Sequence, residues 1–432
     1  MIHDRGERRH GSQSRASVAV IGAGVAGLTA AYLLQRQYEV TLFEADSRLG
    51  GHAHTHEIPS TSGGTAAVDT GFLVHNERTY PNLMRLFGEL GVRTQDSDMS
   101  MSVRCLECGL EYAGGKRLTG LLPQMNHLRT VDFLRMLAEV TRFHRRARRF
   151  LEQSDPDEAT FGSFLAAGGH SQYFVDHFAL PLVSAVWSAG EQVSLQYPAR
   201  YLFEFLNNHG MLSVGGAFQW KTVTGGSRNY VERAAKNLTA VQIGTPVRAV
   251  TRHSTGVEIR DQAGQVHQVD RVVLATHADQ ALALLGDPTP AERRALGAFT
   301  YSRNETWLHS DTDLLPRLPR ARASWNYLKS TCRGGADGVG VSYDINRLMR
   351  LPGPDEYVVT LNPAGRVDPA RVIATMVYEH PVYTRETVAA QRLLPGLNGP
   401  RTAFAGAYHG WGFHEDGCAS GVRAAEAFGA GW

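Results

Sequence analysis

Cysteine is scarce in this sequence: the 432 residues include four, at positions 105, 108, 332 and 418. So few cysteines over this length exclude the dense disulfide framework of a small secreted protein. Cys105 and Cys108 form a C-x-x-C in the stretch CLEC, but no second cysteine pair or histidine pair lies near them in the sequence. A thioredoxin-like strand–helix context is also missing. We therefore predict ordinary thiols of a reducing compartment, without a redox role and without a bound metal.

Net charge and long apolar runs are lacking as well. The 44 Lys and Arg residues nearly balance the 42 Asp and Glu residues, and a formal charge of +2 does not indicate a nucleic-acid-binding protein. No apolar run is long enough to span a bilayer. Residues 1–16 contain no apolar region, so we expect a disordered tail rather than a secretory signal. These absences favour a cytoplasmic protein.

What the sequence does contain is a strand–turn–helix–strand pattern around a glycine motif. The apolar run SVAVI leads directly into GAGVAG (22–27), and a helical pattern then leads to a second strand, YEVTLFEA (38–45). Gly22 permits the tight turn, Gly24 lets the backbone approach a pyrophosphate, and Gly27 lets the helix close on the sheet. The start of the helix also attracts phosphate groups through its free N–H groups and its dipole.

An acidic residue completes this motif. Glu44 ends the second strand, where its carboxylate can accept hydrogen bonds from both ribose hydroxyls of a dinucleotide. The alternative is a glycine-rich turn in an unrelated α/β domain, but the strand, helix and acid together favour dinucleotide binding. The predicted nucleotide contacts are Gly22, Ala23, Gly24, Ala26, Gly27, Glu44 and Ala45.

The residues that follow resemble a known superfamily. Arg48, Gly50, Gly51 and Thr55 match R-x-G-G-[R]-x-x-T, the signature of flavin-containing amine oxidases, phytoene desaturases and protoporphyrinogen oxidases. The resemblance implies FAD, bound without a covalent link, with these residues along it. His52 stands where the relatives usually carry arginine. It can still donate a hydrogen bond, with less charge at neutral pH.

His52 also begins an alternating series with His54 and His56. On a strand the three side chains would share one face, which suggests a metal site. However, the series directly follows the paired glycines, where the resemblance implies backbone facing the flavin. Glu57, the nearest acid, would point to the opposite face. We therefore favour flavin contact over metal binding.

The resemblance extends to the middle and the end of the chain. Thr70, Gly71 and Phe72 lie where the family's chain passes the flavin ring, and Val247 matches the position that packs on adenine. Gly71 is expected to allow close backbone approach to the ring. Near the C-terminus, Gly406 ends the strand of a strand–loop–helix segment with which the superfamily also closes.

That closing segment contains the run GWGFHEDG (410–417). The resemblance implies that a helix beginning near Asp416 directs backbone N–H groups at the flavin, where reduction places negative charge. Asp416 is the predicted helix cap, and His414 and Glu415 are predicted to hydrogen-bond the ring or its ribityl chain. Three consecutive residues make a poor metal site because their side chains point in different directions. A general acid–base role for His414 stays open, and Cys418 is not expected to attach the flavin.

These features predict an α/β fold, α+β overall, with two interleaved domains. One is a discontinuous Rossmann-like FAD-binding domain, and the other is a substrate domain with a mixed sheet and helices. The predicted FAD-binding domain comprises 17–75, 225–285 and 396–432. The predicted substrate domain comprises 76–224 and 286–395.

Four stretches of the predicted substrate domain resemble a narrower group. SWNYL (324–328), VSYDINRL (341–348), YVVTLNP (357–363) and YEHPVYT (378–384) are similar to a bacterial subgroup of predicted NAD/FAD-binding oxidoreductases. Their genes commonly neighbour cyclopropane-fatty-acyl-synthase-like methyltransferases. This association implies a hydrophobic substrate, such as a modified fatty-acyl chain of a phospholipid.

The expected chemistry is hydride transfer from a substrate C–H bond to flavin N5. No second G-x-G-x-x-G motif is present, which favours an oxidase or dehydrogenase over an NADPH-dependent enzyme. An amine oxidase and a flavin-binding protein without turnover are the alternatives. We predict no catalytic residue. Candidates for the pocket lining, with core packing as the alternative for each, are Trp325, Asn326, Tyr327, Tyr408 and Trp411.

A basic stretch at 142–150 contains five arginines interleaved with two phenylalanines. One interpretation is a peripheral contact with anionic lipid at the inner membrane face. An ordinary solvated helix end is the interpretation we favour, since arginines also stabilise that end of the helix dipole.

Overall fold

The computed structural model describes residues 15–114, 130–153, 159–213, 218–333, 340–363 and 365–432. The predicted tail lies outside the described residues as far as residue 14. In chain order the strands are β1 (Ser17–Ile21), β2 (Glu39–Phe43), β3 (Thr55–Pro59), β4 (Thr65–Asp69), β5 (Thr94–Asp96), β6 (Met101–Cys105), β7 (Glu111–Gly114), β8 (Lys221–Val223), β9 (Ala240–Gln242), β10 (Val247–Arg252), β11 (Val257–Asp261), β12 (Val266–Val269), β13 (Arg271–Leu274), β14 (Thr300–His309), β15 (Trp325–Lys329), β16 (Val341–Asp344), β17 (Val358–Leu361), β18 (Val372–Val382) and β19 (Thr402–Phe404).

The helices are numbered in the same way. They are α1 (Val25–Leu34), α2 (Pro81–Leu90), α3 (Val131–Glu152), α4 (Phe161–Ala167), α5 (Gln172–Phe174), α6 (Leu180–Trp187), α7 (Glu191–Gln196), α8 (Ala199–Asn208), α9 (Arg228–Ala235), α10 (Ala278–Leu284), α11 (Pro290–Leu296), α12 (Ile345–Met349), α13 (Arg385–Gln391) and α14 (His414–Glu426). A π-helical turn, Val175–Ala179, joins α5 to α6. Within the described residues, no helix is both long and apolar enough to cross a membrane.

A parallel sheet carries the glycine motif. Within the described part of the chain its strand order is β19-β13-β1-β2-β9, and every neighbouring pair is parallel. Parallel neighbours require a crossover, and α1 provides the one from β1 to β2. Val18, Ala19 and Val20 have no exposed surface, as expected for a central strand covered on both faces.

A second, mixed sheet is built from later parts of the chain. Its order in the described residues is β18-β14-β17-β16-β15-β6-β7, with one parallel pair, β15 with β6, among antiparallel ones. The parallel sheet, the mixed sheet and the surrounding helices confirm the predicted fold class. The domain boundaries given above stay a prediction.

The last helix packs directly on the first. A Cβ on Gly421 would lie 2.3 Å from the carbonyl oxygen of Ala26, and one on Gly417 would lie 2.7 Å from Cγ1 of Val25. Because glycine has no Cβ, the axes of α14 and α1 approach closely. The two ends of the described chain are thereby held side by side.

A buried carboxylate connects β4 to the start of α9. Asp69 is 1% exposed and accepts hydrogen bonds from the Ser227 N–H (2.9 and 3.0 Å), the Ser227 hydroxyl (2.8 Å) and the Thr55 hydroxyl (2.5 Å). Burial raises the pKa of Asp69 to about 6, although these hydrogen bonds act in the opposite direction. Asp69 therefore fastens the turn before α9 to the β3–β4 hairpin.

Candidate active site

A cavity of about 1030 Å³ lies where the two sheets meet. Its lining combines the turn after β1, residues of β18 and the loop before α14. Most of the residues predicted to contact the cofactor line it. They are Gly22, Ala23, Gly24, Ala26, Glu44, Ala45, Arg48, Gly51, His52, Gly71, Phe72, Val247, Gly406 and His414.

At one end of the cavity the glycine motif and Glu44 form a single unit. Gly22 has φ +99°, and a Cβ there would lie 2.6 Å from the Ala275 carbonyl oxygen. The Glu44 carboxylate accepts the Ala23 N–H (2.7 Å) and the Asp46 N–H (2.9 Å), which fixes its position at the cavity wall. A Cβ on Gly24 would meet no protein atom within 4 Å, so the wall leaves room there for a pyrophosphate.

Gly27 and Gly50 do not line the cavity, and their contact with the cofactor stays a prediction. A Cβ on Gly27 would lie 1.9 Å from the Gly22 carbonyl oxygen, so this glycine lets α1 close on the turn, as its place in the motif predicts. Gly50 has φ +110°, and its Cβ would lie 2.4 Å from the Ala53 carbonyl oxygen. Both glycines shape the backbone that surrounds the site.

Arg48 and His52 have different roles in the next loop. Arg48 donates hydrogen bonds from Nη2 to the Gly51 carbonyl oxygen (2.7 Å) and from Nη1 to the Ala53 carbonyl oxygen (3.3 Å). These two hydrogen bonds stabilise the loop. His52 Nε2 is shielded from solvent and has no hydrogen-bond partner among the described residues. Burial, followed by the nearby His380, lowers the pKa of His52 well below its ordinary value, so the ring is neutral. His52 therefore does not provide the charge of the arginine that it replaces.

The structure describes the surroundings of Thr70, Gly71 and the histidine series. Thr70 does not line the cavity; its hydroxyl is 2.7 Å from the hydroxyl of Tyr378. Gly71 does line it, but its Cβ would meet the His52 carbonyl oxygen at 2.1 Å, so the close approach is to protein backbone. His54 and His56 have ring centroids 4.1 Å apart, whereas His52 packs on Tyr378. The described residues hold no three-histidine ligand set here.

The loop before α14 forms the opposite wall. The helix begins at His414 with Phe413 as its N-cap, so Asp416 is the third helical residue and not the cap. Its carboxylate accepts the Phe413 N–H at 2.9 Å, and burial raises its pKa to about 7. Asp416 does not line the cavity. The direct contact between Asp416 and the cofactor stays a prediction.

Glu415 also points away from the cavity. Its carboxylate accepts the Asn82 N–H (3.0 Å), the Asn82 side-chain amide (2.7 Å) and the Leu83 N–H (3.0 Å). These groups belong to the first turn of α2, whose free N–H groups need acceptors. Glu415 thus caps a different helix, and its contact with the flavin stays a prediction.

His414 is the residue of this run that lines the cavity. Its ring stacks on Phe72 at a centroid distance of 3.8 Å and an interplanar angle of 12°, and Nε2 lies 3.1 Å from the Tyr230 hydroxyl. Burial, followed by His75, lowers the pKa of His414 to about 3. At neutral pH the imidazole is therefore uncharged.

The other half of the cavity is aromatic. Trp325, Tyr408 and Trp411 line it as predicted, whereas Asn326 and Tyr327 do not. Asn326 hydrogen-bonds the carbonyl oxygens of Ala323 and Ser342. The indole N–H groups of Trp325 and Trp411 are shielded from solvent and have no acceptor among the described residues. Lining residues that the sequence prediction missed include Tyr80, Trp187, Phe205, Trp220, Tyr343, Tyr378, His380 and Phe413.

Strand periodicity could have found two of these missed residues. Tyr378 and His380 are two apart on β18 and therefore share one face. The aromatic residues of α6 and α8 carried no such signal, because an aromatic residue on a buried helix is usually part of the core.

The geometry fits FAD. A glycine turn and a helix N-terminus at one end suit a pyrophosphate, Glu44 suits ribose hydroxyls, and the start of α14 faces the same cavity from the other end. The unpartnered His52 Nε2 and the open space beside Gly24 are features that a polar ligand would complete.

A family model described as flavin containing amine oxidoreductase matches residues 25–304, more than half of the chain. The chain belongs to this family. Membership confirms FAD as the cofactor. Cys418 has no exposed surface, its Sγ lies 3.4 Å from the Thr29 hydroxyl, and it does not line the cavity, so its side chain faces α1.

Relatives and solved structures agree with the family. AofH of Mycobacterium tuberculosis, named as a flavin-containing monoamine oxidase, is 27% identical over 294 residues. The match covers 65% of this chain and 61% of AofH, so the chain spans about three fifths of that relative's length. Cyclohexylamine oxidase from Brevibacterium oxydans IH-35A has a TM-score of 0.65 at 18% identity, with 96% of this chain and 98% of that chain covered. A fatty acid isomerase from P. acnes has a TM-score of 0.64 at 16% identity, with coverages of 94% and 97%. These structures confirm the Rossmann-like fold.

Proposed function

We propose that this family member is an oxidase or dehydrogenase that removes hydride from a C–H bond of a hydrophobic substrate, a plain or modified fatty-acyl lipid. The observation that supports this substrate is the lining of the aromatic half. Among the described residues, its segments 72–99, 186–220 and 325–343 contribute no charged side chain, whereas β18 contributes Glu379 beside Tyr378 and His380. An acyl chain gains from apolar surface and needs no counter-ion. A cationic substrate buried against the three uncharged segments would find no carboxylate there and would lose solvation without compensation.

The chain's own residues have three tasks in this reaction. When bound, FAD supplies a two-electron acceptor that takes hydride at N5 and passes the electrons on to oxygen or another carrier. The turn at Gly22–Gly24 and the N-terminus of α1 would hold the pyrophosphate, and Glu44 would hold the ribose. The start of α14 would direct backbone N–H groups at the redox ring and would stabilise added negative charge there.

The aromatic half positions the substrate and excludes water. Trp325 packs edge-to-face on Tyr343 (5.4 Å between centroids), and Phe205 stacks on Phe413 (4.6 Å). Rigid rings of this kind hold a C–H bond in one place, which is the main contribution that a protein makes to hydride transfer. Burial lowers the pKa of His380 to about 4, so its ring adds no positive charge next to the substrate.

The test is anaerobic reduction of the purified FAD-loaded protein, followed by flavin absorbance. Three compounds with the same chain length are compared: a long-chain fatty acid, its phospholipid ester and the primary amine. We expect the acid or the ester to bleach the flavin and the amine to leave it oxidised. Trp325→Leu should slow the bleaching, whereas Trp307→Leu, outside the cavity lining, should not.

A family member that oxidises amines is the second candidate. The similarity to AofH favours it, and so does the aromatic lining, since aromatic faces attract cations. Bleaching by the amine alone would support this candidate and refute the acyl substrate. If no compound of either class bleaches the flavin, both proposals fail and a flavin-binding protein without turnover remains.

A cytoplasmic location with peripheral membrane contact through residues 142–150 is a further part of this proposal. On α3 the side chains of Arg145, Arg148 and Arg149 are exposed, as are Val131 and Leu134. A basic and partly apolar surface of this kind suits anionic lipid headgroups. The protein should float with anionic vesicles at low salt but not with neutral vesicles. High salt should abolish this flotation, and so should the double substitution Arg145→Gln/Arg148→Gln. Binding that is indifferent to salt and to lipid charge would refute the contact.

A further inference from the structure

Three cysteines and one histidine converge at the far side of the mixed sheet. Cys105 ends β6, and Cys108 lies in the turn to β7. Cys332 lies in the turn after β15, and His177 lies in the π-helical turn. Their ligand atoms, three Sγ and one imidazole nitrogen, all lie within 4.8 Å of one another. None of the four residues lines the cavity described above.

The separations suit a tetrahedral metal site. Cys105 Sγ and Cys332 Sγ are 3.7 Å apart, and Cys108 Sγ and His177 Nε2 are also 3.7 Å apart. Ligands at the usual Zn–S length of about 2.3 Å and Zn–N length of about 2.0 Å occupy tetrahedron corners about 3.5–3.8 Å apart. A disulfide would require the two sulfurs to be about 2.05 Å apart.

The histidine is already oriented as a metal ligand. Its Nδ1 lies 3.1 Å from the Tyr173 carbonyl oxygen, and a hydrogen bond from Nδ1–H to this oxygen leaves Nε2 unprotonated toward the thiols. Ligating histidines usually have such a backbone acceptor on the second nitrogen. Tyr173 also stacks on the ring at 4.2 Å, which limits its rotation. His177 and Cys105 are each 1% exposed.

The cysteine turns are fixed independently of any metal. Cys105 N–H donates to the Leu110 carbonyl oxygen (2.9 Å), which closes the turn that contains Cys108. Cys332 N–H donates to the Glu107 carboxylate (2.5 Å), which holds the second turn against the first. The scaffold thus brings the thiols together through hydrogen bonds that do not involve sulfur.

We propose that Cys105, Cys108, Cys332 and His177 bind one Zn²⁺ as a closed, structural site. Thiolate and imidazole ligands in a tetrahedral set select zinc, and four protein ligands leave no open position for catalysis. The ion joins the β6–β7 turn, the turn after β15 and the helical segment around His177. This proposal replaces the sequence-based expectation of unliganded thiols, which lacked the partners that only the fold supplies.

The first experiment measures metal content on the FAD-loaded full chain purified without chelator. We expect one zinc per chain by mass spectrometry of metals. X-ray absorption should show three sulfur ligands and one nitrogen ligand. Cys108→Ser and His177→Gln should lose the zinc, whereas Cys418→Ser, which removes a thiol outside the cluster, should keep it.

A second measurement does not depend on the variants folding. Wild-type protein loaded with Co²⁺ should show the visible absorption of a tetrahedral thiolate site, and added Zn²⁺ should abolish it. Wild type that holds FAD but no stoichiometric zinc, and that shows no such cobalt spectrum, would overturn the proposal. A Cys105–Cys332 disulfide in that protein would overturn it as well.

Discussion

At the scale of single residues, Glu44 has the best-defined task. It ends β2, its two oxygens are oriented by the N–H groups of Ala23 and Asp46, and it lines the cavity. Glu44→Gln keeps the size but removes the charge that strengthens hydrogen bonds from ribose hydroxyls. Because a hydrogen bond to a charged group contributes about 1.5–3 kcal/mol, we expect FAD to bind at least about tenfold more weakly. Titration of the apoprotein, followed by flavin fluorescence, measures this change.

Glu39→Gln is the matched control for Glu44→Gln. Glu39 lies on the same strand but is exposed and outside the cavity lining. Its substitution should leave the Kd for FAD unchanged. If the Glu44 variant and the wild type bind FAD with equal affinity, the Glu44 carboxylate does not contact the cofactor.

Asp69 makes a residue-scale prediction about pH. Burial raises its pKa in the folded protein to about 6 from an ordinary 3.8, so the folded state favours the protonated acid. A raised pKa adds stability at low pH, and this stability is lost as pH rises through the folded-state pKa. The free energy of unfolding of wild type relative to Asp69→Asn should therefore fall from about pH 4 to about pH 6 and be flat above about pH 7.

Urea unfolding of the two FAD-loaded proteins across this pH range tests the prediction. Asp96→Asn, at an exposed strand position, is the control for the change from carboxylate to amide. A constant difference between wild type and Asp69→Asn at every pH would show that Asp69 does not titrate with a raised pKa.

At the scale of elements, the contact between α1 and α14 depends on glycine. A Cβ on Gly421 would lie 2.3 Å from the Ala26 carbonyl oxygen and 3.0 Å from Cβ of Thr29. Gly421→Ala should therefore separate the two helices and destabilise the protein by about 1–3 kcal/mol, as overpacking commonly does. The FAD content of the purified variant should also be lower than that of wild type, since each of the two helices begins at the cavity.

Gly88→Ala in α2 is the matched control for Gly421→Ala. A Cβ on Gly88 would meet no atom within 4 Å, so alanine should stabilise this helix by up to about 1 kcal/mol. Urea unfolding and the ratio of flavin to protein absorbance measure both variants. A Gly421→Ala protein as stable as wild type would mean that the helices are not packed as closely as described.

The elements also show where sequence reasoning succeeds. The glycine turn was predicted well because its requirements are local: a strand, a turn with positive φ and a helix follow one another directly. The directions of Glu415 and Asp416 were not predicted, although the helix itself was. The Glu415 carboxylate accepts hydrogen bonds from the N-terminus of α2, whose residues lie more than 330 positions earlier in the chain. No local pattern reports such a partner.

At the scale of the whole molecule, the same distinction separates the two halves of the cavity. The nucleotide half is drawn from contiguous motifs, so most of its residues were predicted. The aromatic half is assembled from α6, α8, β15, β18 and the loop before α14, which meet only through the mixed sheet and the helices packed on it. The cluster of Cys105, Cys108, Cys332 and His177 escaped prediction for the same reason.

The contact of the two chain ends around one cavity predicts how FAD stabilises the fold. A ligand that binds only the folded state adds about 2.7 kcal/mol at a free concentration of about 100 Kd. AMP can occupy only the end formed by the glycine motif and Glu44, and FMN only the end formed by the start of α14. Joining the two halves makes the second binding event intramolecular, so FAD should bind much more tightly than either fragment.

Thermal unfolding of the apoprotein with equal concentrations of FAD, AMP, FMN or AMP plus FMN tests this prediction. We expect Tm to rise most with FAD, and to rise with the mixture by less than with FAD, because the mixture lacks the covalent link between the fragments. Glu44→Gln should weaken the response to AMP and leave the response to FMN unchanged, since Glu44 lies at the nucleotide end. If FMN alone raised Tm as much as FAD, the nucleotide end would contribute nothing to binding. The closure of both chain ends on a single dinucleotide would then be wrong.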